Sequence, residues 1–205
     1  MTDPDPDLAP RRLLAEGPVD DLFLSRWSPR SFSDTPVADD DIDAVLEAAR
    51  WAPSCFGEEP WTILWVRQED PDYPTFLGLL NESNRAWARR APVLLFVFAR
   101  TRFARNGEDN RWAAFDAGAA WMSIALQARM RGLYAHAMGG FDIPHAAERL
   151  GLPDSGLLAL CAVAMGHRGP PELLSEAQQK VEMPRGRAPR AQRFHRGRGP
   201  LGGAA

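Results

Sequence analysis

The segment Arg26-Trp27-Ser28-Pro29-Arg30 combines two arginines and a serine at two-residue spacing. In an extended chain, residues two positions apart point to the same side, so Arg26, Ser28 and Arg30 can present their side chains together. A guanidinium group is planar and permanently charged, and its donors match the oxygens of a phosphate. The spacing therefore predicts a phosphate-binding site. A solvated basic turn is the alternative interpretation of these residues alone.

Other segments also carry residue types that suit contact with a ligand. A loop between a predicted helix and a predicted strand contains several small or polar residues, namely Pro53, Ser54, Cys55, Gly57 and Glu59. Met138-Gly139-Gly140 supplies two glycines, which let the backbone approach a ligand closely. Asn84 lies on a predicted helix, and residues 185–198 hold six arginines and no acidic residue.

In this order and spacing, the segments resemble the nitroreductase family of flavin enzymes. The resemblance covers roughly Leu22 to Pro189 and also includes Asp116-x-Gly118 and Gly132-Leu133. It implies a homodimer that binds FMN at the subunit interface. It also implies NAD(P)H as a transient electron donor and a nitroaromatic, a quinone or a similar small molecule as the acceptor. The flavin carries the redox chemistry in this family, so no side chain is assigned as catalytic.

The same resemblance assigns cofactor contacts by position. Arg26, Ser28 and Arg30 would hold the phosphate and ribityl chain of FMN, and a C-terminal arginine would close on the phosphate. That arginine is Arg187 by position, although spacing alone leaves Arg185 and Arg190 as candidates. The other implied contacts to the flavin ring are Pro53, Ser54 and Cys55 from the second subunit, with Asn84, Met138, Gly139 and Gly140.

Two positions depart from the family pattern. Gly57 and Glu59 stand where the family commonly has Asn and Gln, and an ionised Glu can only accept hydrogen bonds. A carboxylate that faced the reduced flavin would lower its potential, unless Glu59 turns away or pairs with an arginine. A flavin-binding protein with little turnover is therefore one alternative function. A specialised dehydrogenase or dehalogenase is another, although residues 100–111 are a short segment for a lid.

Composition narrows the class of protein. The chain has 205 residues, 45% of them hydrophobic and 25% charged, which is typical of one globular domain. Its net charge of −3 gives no reason to expect nucleic acid as a partner, despite the arginines near the C-terminus. No apolar run reaches the roughly 20 residues that span a bilayer. Cys55 and Cys161 are far apart, which favours a reducing cytoplasm.

The four histidines, His136, His145, His167 and His195, lack the spacing of a metal site, so no metal is predicted. His136 could line the acceptor pocket.

Hydrophobic periodicity predicts a helix-rich α+β domain with about four strands, and the resemblance implies a mixed sheet of four to five strands flanked by helices. Residues 111–131 are apolar on nearly every side, which predicts a long, buried central helix and a dimer that covers it. The predicted organisation is a loosely ordered lead over residues 1–20, a flavin-binding domain over 21–195 and a flexible tail over 196–205.

Overall fold

A computed structural model describes residues 8–153, 156–183 and 185–197. Within these residues the fold is α+β, with four strands and eight α-helices. The strands are β1 (Trp61–Arg67), β2 (Val93–Arg100), β3 (Tyr134–Met138) and β4 (Leu157–Gly166). The helices are α1 (Leu8–Arg12), α2 (Asp21–Ser25), α3 (Asp39–Arg50), α4 (Tyr73–Leu79), α5 (Glu82–Ala88), α6 (Ala113–Met130), α7 (Ile143–Arg149) and α8 (Glu176–Gln179).

The four strands form one sheet in the order β1-β2-β4-β3, and every neighbouring pair is antiparallel. The strand count agrees with the prediction, but the sheet is antiparallel where a mixed sheet was expected. Continuous apolar runs such as those of β2 and β4 are typical of parallel strands, which are buried on both faces. Here the same burial arises because helices cover both faces of an antiparallel sheet.

Strand β2 shows how the two faces are filled. Its alternate residues belong to two separate cores, with Phe96 and Phe98 in one and Leu95 and Val97 in the other. The first core also contains buried residues of α4, α5 and α7, and the second contains those of α3 and α6. The period of two along the strand thus yields a three-layer domain with the sheet in the middle.

Helix α6 is buried along one stripe, which includes Ala117, Ala120 and Ile124. Another stripe faces outward in the single protomer, where Phe115 is 74% exposed and Met130 is 66% exposed. The predicted long central helix is therefore present. One protomer covers only part of its apolar surface.

The N-terminal region is more structured than a loosely ordered lead over residues 1–20 suggests. Residues 8–12 form α1, and the buried Arg11 donates from Nη1 to the carbonyl oxygen of Leu24 over 2.8 Å. Residues 1–7 lie outside the described residues, as does the predicted tail from residue 198 onward. In the described part of the chain, no helix combines the length and apolarity needed to cross a membrane.

Candidate functional site

A cavity of about 680 Å³ lies beside β3, between the N-terminal and C-terminal segments. The predicted anion site forms one wall, because Arg26, Ser28 and Arg30 all line the cavity. The segment around residues 181–194 forms the opposite wall. Six arginines of the described residues line it, namely Arg11, Arg26, Arg30, Arg185, Arg187 and Arg190. Arginines from the N-terminal and C-terminal segments of the chain thus line one basic cavity.

Four of the six arginines that line this cavity have no carboxylate partner for their guanidinium group in the described part of the chain. Among the described residues, no carboxylate forms an ion pair with Arg26, Arg185, Arg187 or Arg190. Burial lowers the pKa of Arg26, and the nearby charges of Arg187 and Arg11 lower it further. An anion in the cavity would relieve this repulsion. A phosphate monoester, with about two negative charges, fits the charge and the donors present.

The backbone of the arginine-serine segment is held on several sides. Ser31 donates from Oγ to the carbonyl oxygen of Pro170 over 2.6 Å and accepts at its own carbonyl from Gly169 N over 2.9 Å. Ser33 N donates to the carbonyl oxygen of His167 over 3.0 Å. A Cβ at Gly169 would lie 2.8 Å from the backbone of Phe32, so this close contact requires glycine. The segment is therefore positioned before any ligand binds.

His136, on β3, contacts the backbone of the arginine-serine segment. Its Nδ1 donates to the carbonyl oxygen of Pro29 over 2.8 Å, because a carbonyl can only accept. Its ring packs on Trp87 with the centroids 4.7 Å apart. Burial lowers the pKa of His136 to about 4, and the charges of Arg30 and Arg185 add to this lowering. The residue thus lines the basic cavity as a neutral imidazole.

The loop with Pro53, Ser54 and Cys55 lies outside this cavity. Cys55 N donates to Oδ2 of the buried Asp116 over 3.0 Å, which fastens the loop to the first turn of α6. The loop therefore lies at the start of that helix. The ring contacts predicted for this loop involve a second subunit, and within one chain the loop does not line the cavity.

Gly57 and Glu59 both have left-handed backbone conformations, with φ of 68° and 43°. Glycine adopts this conformation without strain, whereas glutamate rarely does. Glu59 N donates to Ser54 Oγ over 3.0 Å, and the Glu59 side chain is exposed without an ion pair to any described residue. Glu59 therefore forms no ion pair with an arginine of the described residues, but its charge acts on the nearby Arg50, whose pKa is raised mainly by Glu47.

Its neighbour Glu58 makes the contacts that were considered for Glu59. The carboxylate of Glu58 accepts from Ala104 N over 2.7 Å and from Arg100 Nη2 over 3.1 Å. The hydrogen bond from the Ala104 N–H is the main reason why the pKa of Glu58 is lowered. Glu58 thus joins the 55–59 loop to residues 100–105. No local sequence pattern indicates which of these two adjacent glutamates makes the contacts. Only the structure identifies Glu58 as that residue.

Asn84 and the two-glycine segment form a separate group. Asn84 Nδ2 donates to the carbonyl oxygen of Gly140 over 3.1 Å. A Cβ at Gly140 would meet the amide nitrogen of Asn81 and lie 2.7 Å from that of Asn84, so a larger residue would displace both side chains, whereas Gly139 has open space around it. Met138 is buried in the core. The structure brings Asn84 and Gly140 together but places both, with Met138 and Gly139, outside the lining of the basic cavity.

One buried carboxylate near the cavity was missed by sequence reasoning. Glu182 lies in the C-terminal segment and contacts the backbone of Arg30 and Ser31. An isolated glutamate about 150 residues away from its partners has no pattern that reveals the contact. The described residues contain no cluster of histidine, cysteine or acidic side chains that could hold a metal ion.

Comparisons with known sequences and with solved structures agree on one family of proteins. The profile of the Nitroreductase family matches residues 24–85 and 74–167. A Streptomyces coelicolor protein, provisionally named NADH dehydrogenase/NAD(P)H nitroreductase, is 30% identical over 170 residues, which cover 73% of this chain and 83% of the relative. A Mycolicibacterium smegmatis protein without a functional name is 41% identical over 103 residues, 49% of this chain. The chain spans 65% of that relative's length.

A solved structure described as an oxidoreductase containing FMN has a TM-score of 0.87 and 36% identity. The match covers 97% of this chain and 98% of that protein. The similarity therefore extends through nearly the whole fold, including the elements that surround the basic cavity.

Proposed function

Because this chain belongs to the nitroreductase family, we propose that it is an FMN-dependent oxidoreductase that passes electrons from NAD(P)H to a small acceptor. A nitroaromatic compound or a quinone is the proposed class of acceptor. The names of the similar proteins support FMN and NAD(P)H as the cofactor and the electron donor. The observation that carries the proposal is the basic cavity with Arg26, Ser28 and Arg30 on one wall and Arg187 on the other.

We propose that these four residues hold the phosphate and the ribityl chain of FMN. Arg26 Nη1 lies 3.4 Å from Ser28 Oγ, so the hydroxyl and the guanidinium group can reach one anion together. Arg187 Nη1 donates to the carbonyl oxygens of Arg185 and Gly186, which orients its guanidinium group. When bound, FMN supplies the redox chemistry, while the protein binds it, orients it and sets its electrostatic surroundings.

In this proposal the flavin ring extends from the cavity toward Asn84 and the two-glycine segment. The backbone of Gly139 and Gly140 would approach the ring, and the amide of Asn84 would lie at its edge. The contact between Asn84 and Gly140 supports a shared role, because each fixes the position of the other. Met138 would support this strand end from the core.

A homodimer is the proposed active form. The exposed face of α6, with Phe115 as its most exposed large side chain, is available to a second copy. The contact between Cys55 and Asp116 joins the loop with Pro53 and Ser54 to the first turn of the same helix. Docking of two such faces would carry each loop toward the other protomer. Sedimentation at micromolar concentration should give a dimer, and a stable monomer would contradict this part of the proposal.

We also propose a cytoplasmic location. Cys55 and Cys161 are both free thiols, and burial raises the pKa of Cys161 to about 11. Unpaired cysteines are typical of reducing compartments, where disulfides rarely persist. Cell fractionation followed by immunodetection would test the location directly.

Anaerobic reduction separates an enzyme from a protein that only binds flavin. The purified protein, loaded with FMN, is mixed with NADH or NADPH while the visible flavin absorbance is followed. The proposal predicts bleaching by at least one of the two donors, and recovery of the colour after a quinone or nitroaromatic is added. Flavin that stays oxidised with both donors would instead favour the storage function that the unusual Gly57 and Glu59 suggest.

A further inference from the structure

We infer that Glu182 is a positioning residue for the phosphate site, one that acts through Arg30 and does not touch the ligand. This inference rests on the proposed binding of FMN. Glu182 follows α8, and its side chain is 2% exposed. Asp116, another buried carboxylate of the described residues, serves the loop at Cys55.

The carboxylate fixes the backbone on both sides of the Arg30 peptide unit. One oxygen, Oε1, accepts from Arg30 N over 2.6 Å and from Ser31 N over 3.0 Å. The other oxygen, Oε2, lies 3.7 Å from Arg30 Nη1. The backbone N–H and the guanidinium group of Arg30 thus both contact the side chain of Glu182. The direction in which Arg30 enters the cavity is determined by this contact.

Stability alone is a weak reason for this arrangement. Oε2 is buried and has no hydrogen-bond partner among the residues that the structure describes. Burying a carboxylate costs several kcal/mol, and the compensation here is incomplete. A neutral glutamine could accept from the same two N–H groups without burying a charge. The retained charge and reach of Glu182 therefore point to a role in placing Arg30.

Glu182 also connects the two walls of the cavity. Its neighbours Val181 and Met183 line the cavity, followed by Arg185 and Arg187. Residues 185–190 are exposed, and Arg190 N donates to Glu16 Oε2 on the opposite wall over 2.9 Å. Together with this contact, the hydrogen bonds from Glu182 set the spacing between the two groups of arginines.

Electrostatics and positioning predict opposite effects for loss of this side chain. A carboxylate close to a bound phosphate repels it, so simple removal of the charge would tighten binding. Loss of the backbone contacts would instead release Arg30 and weaken binding. Substitutions that separate charge from reach therefore distinguish the two roles.

Glu182→Gln and Glu182→Asp form the matched pair. Glutamine keeps the length and an acceptor oxygen for both N–H groups but loses the charge. Aspartate keeps the charge but is one methylene shorter, so it cannot reach both groups. Glu176→Ala, at an exposed position on α8, serves as the control. Dissociation constants are measured for FMN and for riboflavin, which lacks the phosphate, and circular dichroism verifies folding.

The inference predicts that Glu182→Asp weakens FMN binding about tenfold, the scale of a lost charge-assisted hydrogen bond. Riboflavin binding should change by less than about twofold, because the phosphate contact is absent from that ligand. Glu182→Gln should bind FMN within about threefold of the unmodified protein, since both N–H acceptor contacts remain.

Unchanged FMN affinity in Glu182→Asp would overturn the inference, as would equal losses for FMN and riboflavin. A loss in Glu182→Gln as large as that in Glu182→Asp would also overturn it, because charge and not reach would then matter. If Glu182→Asp does not fold, the result for Glu182→Gln decides alone. Failure of the unmodified protein to bind FMN would instead contradict the proposed function itself.

Discussion

The buried imidazole of His136 makes a quantitative prediction about stability and pH. Its pKa is about 4 in the folded protein against an ordinary value of 6.5, mainly because burial disfavours the charged ring. Between these two values the unfolded chain binds a proton that the folded protein does not. The free energy of unfolding should therefore fall as the pH decreases through this range, and should be unaffected by His136 above it.

The magnitude follows from the size of the shift. One pKa unit corresponds to about 1.4 kcal/mol, so this histidine can change the unfolding free energy by at most roughly 3 kcal/mol. At pH 5, the difference from the plateau above pH 7 should be about 2 kcal/mol. Other acidic groups also titrate toward low pH, so the comparison must be made between variants and not between pH values alone.

Urea unfolding from pH 4.5 to pH 8 measures this effect. Flavin-free protein in phosphate-free buffer is required, because a bound anion would change the charge around His136. His136→Asn keeps a donor for the carbonyl oxygen of Pro29 but cannot titrate, so its loss of stability at pH 5 should be smaller by about 2 kcal/mol. His145→Asn, at a side chain that is 61% exposed, should follow the unmodified protein. Parallel pH profiles for His136→Asn and the unmodified protein would refute the reasoning.

Three other predictions concern the flavin and its surroundings. Arg30→Ala should weaken FMN binding by about 1.5–3 kcal/mol in an equilibrium titration, and Arg30→Lys should recover only part, because a point charge replaces a bidentate fork. Gly140→Ala would place a Cβ against the side-chain amides of Asn81 and Asn84 and should lower the free energy of unfolding by about 1–3 kcal/mol, whereas Gly139→Ala, with open space, should be neutral. Glu59→Gln should raise the flavin midpoint potential in a spectroelectrochemical titration, by less than the Coulomb ceiling of roughly 3 kcal/mol for charges about 6 Å apart. An unchanged potential would show that this carboxylate does not face the ring.

The secondary structure was largely predictable because local signals agreed with the tertiary environment. The acidic residues Asp39, Asp40 and Asp41 mark the start of α3, where the helix dipole favours negative charge, and the helix begins at Asp39. Arg26, Ser28 and Arg30 share the cavity, as their two-residue spacing predicted. In both cases the relevant partners lie within a few residues of one another.

What was missed depends on contacts between distant segments. The antiparallel pairing of β2 with β4 cannot be read from their apolar runs, because burial on both faces produces the same pattern in either orientation. The contact from Glu182 to Arg30 spans more than 150 residues. Of the adjacent Glu58 and Glu59, it is Glu58 that contacts Arg100 and Ala104, more than 40 positions away in sequence. Such features arise from three-dimensional packing, for which a single sequence has no local signature.

The identity of the bound flavin tests the central claim most directly. The absorbance spectrum of the purified protein, followed by mass spectrometry of the ligand released by heat, gives both the class and the exact compound. The basic cavity predicts flavin bands and FMN, because the arginines around Arg26 and Arg187 match a single phosphate monoester. Released FAD would contradict this account, and so would the absence of bound flavin after reconstitution with FMN.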